Sequence, residues 1–221
     1  LEGVIQQFYL KSSILKTSLH IQSFCSFRFN KIILNGETVV AKEKGLSFSE
    51  FSKTVYKESG IAYPKFFKMD NLSKLTFLTA EVLLKNCALP SEEKEKMALV
   101  LSNRSASLDT DRKHQLSIQS KENFYPSPAV FVYTLPNIGM GEISIRHQIK
   151  GENAFFVFKE FNAKFLMQYS EALIHNKKAS HVLCGWVDIE EDAYRSFMYL
   201  VSKRGTYIHS EAIINKEYQN I

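Results

Sequence analysis

From 160 to 174 the chain is apolar on nearly every face of a helix, through Phe161, Ala163, Phe165, Leu166, Met167, Tyr169, Ala172 and Leu173. A helix with no polar side does not belong on a surface, and this pattern predicts a buried central helix. It is entered abruptly from a short apolar strand over 154–158. It closes on Lys177 and Lys178, whose charge suits a helix C-terminus. The run 181–187 reads as a second apolar strand and 194–201 as a last one, with the tail from Lys203 peripheral. Strands that alternate with helices around such a segment predict an α/β fold: a mostly buried mixed sheet flanked by helices, in one domain over 1–221.

The first half supplies further elements. Residues 8–12 (FYLKS) read as a first strand, and Asn35-Gly36 as a turn between apolar runs. Residues 46–58 read as a helix. A stronger helix spans 68–86, where Met69, Leu72, Leu75, Leu78, Val82 and Leu83 recur at helical spacing and Asp70 or Asn71 can cap the start. Pro90-Ser91 opens a short charged helical turn, 97–101 is a buried strand, and 102–111 is polar enough to read as a loop. Ser127-Pro128 is a helix-start signature. Pro136 stops that segment, Asn137 can cap the next, and Gly139 and Gly141 inside it permit close backbone approach.

Composition bounds the function classes. The 221 residues include 17 Phe and 10 Tyr, which excludes disorder as the main state, and 9 Gly with 5 Pro exclude collagen-like repeats. No apolar run reaches the roughly 18–20 residues that cross a bilayer. The net charge of +5 comes from scattered Lys and Arg: it reads as a solvated surface with a slight Lys excess or as a basic face for an acidic carrier protein, and the scatter argues against nucleic acid. Three cysteines without a CxxC spacing point away from a disulfide framework or zinc site and toward a reducing compartment. The first residue is Leu1, which suggests a trimmed product. No signal-peptide pattern surrounds it, so a cytoplasmic protein is expected.

The turn at Phe158-Lys159-Glu160-Phe161 is where chemistry is expected. A sharp passage from buried strand to buried helix presents one side chain at a helix N-terminus, where amides and dipole favour negative charge. Enzymes use this geometry for a Ser or Cys nucleophile; here the tip is Glu160. Its readings are a stabilising acid at a helix start, a plug in a vestigial pocket, or a working carboxylate. Phe161, Phe165 and Met167 are candidates to line an acyl pocket, or are plain core. Cys184 reads as a buried core thiol. The six histidines form no HExxH or paired pattern, so no metal and no cofactor are expected. Lys65, Lys68 and Lys74 can meet an acidic carrier protein or simply face solvent.

At this turn the sequence resembles the N-terminal half of β-ketoacyl-acyl-carrier-protein synthases, condensing enzymes of the thiolase fold. Gly151-Glu152-Asn153, the strand, the elbow, the helix and then His181-Val182-Leu183-Cys184-Gly185-Trp186-Val187-Asp188 follow the family's order without a gap. Phe67-Lys68-Met69-Asp70, Ser127-Pro128, Leu135-Pro136-Asn137 and Gly141-Glu142-Ile143 are similar to further stretches, and the likeness runs from about Phe8 to about Asp188. The position that corresponds to the nucleophilic Cys holds Glu160, and the half that carries the family's two histidines has no counterpart before the sequence ends. A carboxylate does not carry the acyl thioester that condensation needs.

The resemblance therefore implies a chain-length-factor type of subunit, with no catalytic residues of its own, like the short forms that accompany aryl-polyene and similar pathways in fatty-acid and polyketide chemistry. It implies a full-length synthase as heterodimer partner, self-dimerisation when isolated, an acyl carrier protein nearby, and an interface strand made of Ala154, Phe155, Phe156, Val157 and Phe158. Two alternatives stay open: a stand-alone acyl-thioester enzyme using Glu160 as base, and a scaffold that touches no substrate. Neither nucleic acid nor a membrane is an expected partner.

Overall fold

One mixed sheet organises the chain. The computed structural model describes residues 18–42, 45–122, 124–191 and 193–220, so the strand expected at 8–12 lies outside the described residues. The strands are β1 (His20–Arg28), β2 (Lys31–Leu34), β3 (Glu37–Ala41), β4 (Met97–Asn103), β5 (Asn153–Val157), β6 (His181–Glu190), β7 (Ala193–Ser202) and β8 (Tyr207–Ile208). Their order is β3-β2-β1-β7-β6-β4-β5, and β8 pairs with the start of β1. Strand β4 runs parallel to both β5 and β6, whereas the β6–β7, β7–β1, β1–β2 and β2–β3 pairs are antiparallel. Asn35 and Gly36 turn the β2–β3 hairpin with φ of 52° and 88°, the left-handed pair that a tight hairpin requires.

Helices cover both faces. Against one face lie α1 (Phe48–Glu58), α2 (Asn71–Cys87) and, beyond the short helices α3 (Ser91–Glu95), α4 (Leu108–Ile118) and α5 (Pro128–Val132), helix α6 (Ile138–His147). The other face carries α7 (Ala163–His175) and α8 (Glu211–Gln219). Asp70 caps α2, its carboxylate accepting the Ser73 amide at 2.9 Å. Gly139 lets α6 lie close on α2: a Cβ there would sit 2.9 Å from Thr76 Cβ. Gly185 on β6 is needed for the same kind of reason, since a Cβ would run into the Phe197 carbonyl of β7.

Three expectations are corrected. The buried central helix is α2, which buries Leu75, Phe77, Leu78, Ala80 and Leu83 completely. The segment at 160–174 becomes α7, which starts only at Ala163 and buries the stripe Ala163, Leu166, Ser170, Leu173 and Ile174 while Phe165, Met167 and Tyr169 stay partly exposed. Residues 102–111 are not all loop, because α4 begins at Leu108; Thr110 is its single buried residue, so the helix carries no apolar stripe to betray it. The tail from Lys203 is not peripheral. Ser210 caps α8 with its hydroxyl on the Ile213 amide, Ile214 is fully buried against the sheet's second face, and His209 is buried beside it.

Among the described residues no helix is long and apolar enough to cross a membrane. Because Ile214 has no exposed surface, Ile214→Ala is expected to cost about 2–4 kcal/mol in urea unfolding, the cost of a buried cavity. A peripheral tail would lose no more than about 0.5 kcal/mol.

Candidate functional site

The C-terminal ends of β4 and β6 open onto a crevice of about 700 Å3. Ends of parallel strands are where open α/β sheets place ligands, because loops diverge there and backbone groups point outward. The lining includes Arg104, Arg112, Lys159, Glu160, Phe161 and Trp186. Asp188, near the end of β6, holds the β4–α4 loop by accepting the backbone amides of Arg104 at 3.2 Å and Ser105 at 3.1 Å. Glu190 draws in both arginines, with Arg112 Nη2 at 3.1 Å and Arg104 Nη2 at 3.7 Å. This charged rim is exposed, so its pairs orient side chains more than they stabilise the fold.

The crevice floor is aromatic. Phe161 stacks on Tyr218 of α8 at 4.1 Å between ring centroids, and meets Trp186 and Phe197 edge-on at 6.2 and 6.0 Å. The Arg195 guanidinium lies 3.6 Å over the opposite side of the same cluster, on the Tyr218 ring, and donates to the Tyr218 carbonyl. Burial pushes the Tyr218 phenol up, and the nearby Arg195 charge pulls it partly back. Arg195 itself is held below the usual guanidinium range by burial.

Glu160 lies on the rim, exposed, three residues ahead of α7 rather than at its first turn. The helix start belongs to Asn162, whose side-chain oxygen accepts the Phe165 amide at 2.9 Å. An asparagine cap explains the shift: Asn162 satisfies the orphan amide of the helix start, leaving Glu160 outside the first turn. Among the described residues the Glu160 carboxylate has no hydrogen-bond or ion-pair partner.

Of the four pocket candidates the structure brings Glu160 and Phe161 together at the crevice. Phe165 instead packs edge-on against Phe156 and Phe158 at 4.7 and 5.0 Å, and Met167 packs on the second core face. Arg104, Arg112, Arg195 and Tyr218 were missed. Their signal is weak in sequence, because they come from four separate elements; the lone Trp186 near the end of an apolar strand was the one available pointer. No histidine lines the crevice. Cys184 is fully buried in β6, and burial pushes its thiol up to about 12 despite contacts with Ser170 and Tyr199. Cys25 is buried and pushed up as well. Arg146 and His147, at the end of α6, both approach the buried Glu81 carboxylate, at 3.4 and 2.5 Å.

Four of the five interface candidates, Ala154 to Val157, lie on β5, and Phe158 follows it. Strand β5 ends the sheet, paired with β4 alone among the described residues. The Glu152 carbonyl accepts from Leu99 and the Phe158 amide donates to Asn103, so at period two the backbone groups of Asn153, Phe155 and Val157 face outward. Phe155 packs on one core face and Phe156 on the other, while Val157 is 54% exposed.

No protein-family model and no curated protein matches the sequence. Solved structures do. The ishigamide ketosynthase/chain length factor matches 84% of this chain with a TM-score of 0.62 at 16% identity. The chain has the ketosynthase fold. The complex of the type II polyketide synthase acyl-carrier protein AntF with its ketosynthase AntDE, bound to a hexaketide, matches 86% of it at TM-score 0.58 and 12% identity. The ketosynthase ApeO with its chain length factor ApeC from Xenorhabdus doucetiae matches 85% at TM-score 0.52 and 14% identity. The chain spans 62% and 64% of the matched chains in the first two structures and 80% in the third.

Two measurements test the site's geometry. Asn162→Ala should lower stability by about 1 kcal/mol, the worth of a helix cap, whereas Glu160→Gln should leave the unfolding midpoint unchanged. A thiol reagent at pH 8 should spare Cys25 and Cys184 in the folded protein and label all three cysteines in urea, with the half-buried Cys87 reacting first.

Proposed function

We propose that this chain is a non-catalytic, chain-length-factor-like subunit that pairs with a β-ketoacyl synthase through the outer edge of β5. The observation that carries this reading is the edge itself. Among the described residues, strand β5 presents unpaired backbone groups at Asn153, Phe155 and Val157 next to apolar side chains. It lacks the lysines, prolines or bulges that monomeric proteins place on an edge to block pairing. A second sheet added there would satisfy those groups and cover Val157.

Further support comes from around the edge. A hollow of about 390 Å3 beside β5 is lined by Pro136, Met140, Phe155 and Val157. Beyond it Leu116, Phe131, Val132 and Leu135 on α4, α5 and the following turn are all about half exposed or more. Apolar exposure of this kind marks an interaction surface. Two of the matched structures carry a chain length factor in their names, and one of these is a complex with a ketosynthase whose matched chain is little longer than this one.

Glu160 fills the place of the nucleophile in this reading. Standing exposed on an aromatic-floored crevice that no histidine lines, it offers no sulfur to accept an acyl chain. The chemistry served is decarboxylative condensation on carrier-protein thioesters, carried out by the partner in the cytoplasm. Phe161 and its aromatic neighbours would bound the growing chain.

Co-expression with a synthase from the same organism, followed by affinity capture and the mass of the eluted complex, tests the proposal. A one-to-one complex is expected. Val157→Lys should weaken it at least tenfold, about 1.4 kcal/mol, while leaving the unfolding midpoint within a degree or two, since Val157 is 54% exposed. A soluble chain that captures no synthase and itself turns over acyl thioesters, with turnover lost in Glu160→Gln, would overturn it.

A further inference from the structure

At the opposite end of the sheet, where β4 and β6 begin and β7 ends, lies a second cleft of about 470 Å3. Lys96, Lys177, Lys178, Lys203 and Arg204 line it, and Glu93 is the single carboxylate among the lining residues. The whole chain has a net charge of +5, so this one concavity gathers nearly as much positive charge as the entire molecule has in excess. Among the described residues none of the five cations has a carboxylate partner; Glu93 instead approaches His181 Nε2 at 3.6 Å.

Like charges collected around a concavity repel one another, and the walls focus their field outward. Such an arrangement costs the apo protein free energy that a bound anion offsets. The cations are held by fixed backbone. Lys177 sits in the left-handed region at φ 58°, and the amides of Lys178 and Ala179 both donate to the Leu173 carbonyl, which ends α7 in a tight turn. The Ser180 amide donates to the Lys96 carbonyl, which ties that turn to the start of β4.

The floor is polar and already organised. The His181 side chain is 8% exposed, with Ser180 Oγ 3.1 Å from Nδ1 and Gln22 Nε2 3.3 Å from Nε2. Gln22 also donates to Ser202 Oγ at 2.9 Å. A floor of amide, hydroxyl and imidazole under a rim of ammonium and guanidinium groups suits phosphoryl oxygens and repels hydrocarbon. The cations come from three separate segments, and five of them against one carboxylate leave about four positive charges, more than the roughly two negative charges of a single phosphate can offset. The volume falls in the range of small-molecule sites.

We propose that this cleft binds a small soluble molecule carrying at least two phosphate groups. The site is separate from the crevice that holds Glu160, and it stands whether or not the chain pairs with a synthase.

Calorimetric titration of the full chain at low ionic strength tests this, with inorganic pyrophosphate in one arm and ADP in the other. One-site saturable binding of pyrophosphate is expected. A tighter constant for ADP would mean that the cleft also takes a nucleoside, and an equal one that it reads the phosphates alone. The double variant Lys178→Ala, Arg204→Ala should weaken binding about tenfold or more, and Glu93→Gln should tighten it about threefold. All three positions lie on the surface, and circular dichroism checks that the variants remain folded. No saturable binding in either arm, or binding that the double variant leaves unchanged, would overturn the proposal. So would equal binding of sulfate at matched ionic strength.

Discussion

Strand β4 is the constraint on which the remaining elements depend. All seven of its residues are buried, and it runs parallel to β5 on one side and β6 on the other. Its side chains alternate between the two cores: Met97, Leu99 and Leu101 toward α2 and α6, Ala98 and Val100 toward α7. A parallel strand of this kind needs cover on both faces, and the helices are laid down accordingly. Its end also borders the crevice. Arg104 and Ser105 follow it directly, and Asp188 on the neighbouring strand fixes their amides.

That arrangement leaves one side unfinished. Among the described residues the sheet has a single further strand beyond β4, and β5 is short, half-buried and open along its outer edge. The two ends of the sheet also differ in character. The C-terminal end has a neutral balance of Arg, Lys, Asp and Glu over stacked aromatic rings. The N-terminal end has cations that, among the described residues, lack carboxylate partners, over a polar floor. On the two proposals made above, an apolar chain would occupy the first and a polyanion the second.

Much of the fold was legible because its signals are local. Asp70 before the periodic run of α2, the Asn35-Gly36 hairpin and the continuous apolar run of β4 each depend on a few neighbouring residues. The elbow was legible in outline only. The apolar pattern of 160–174 predicts burial on every face, yet burial is decided by what lies opposite, and Phe165, Met167 and Tyr169 are left partly exposed. Asn162 displaced Glu160 from the helix start because an N-cap depends on backbone conformation, which composition does not reveal. The tail was misread for a similar reason: four apolar residues in nine, interrupted by charged and amide side chains, give a weak pattern, but Ile214 and Tyr218 fall where the sheet and Phe161 are open to receive them.

The central claim is that the outer edge of β5 is completed by a second chain. Hydrogen–deuterium exchange read at single amides tests it most directly, on the isolated chain and on the chain mixed with the proposed partner synthase. The account predicts that the amides of Asn153, Phe155 and Val157 exchange quickly in the isolated chain and become strongly protected in the mixture. Those of Ala154 and Phe156, which already face β4, should be protected in both. Unchanged exchange at the three outward amides, in a mixture where a complex forms, would contradict the account and move the interface to another face.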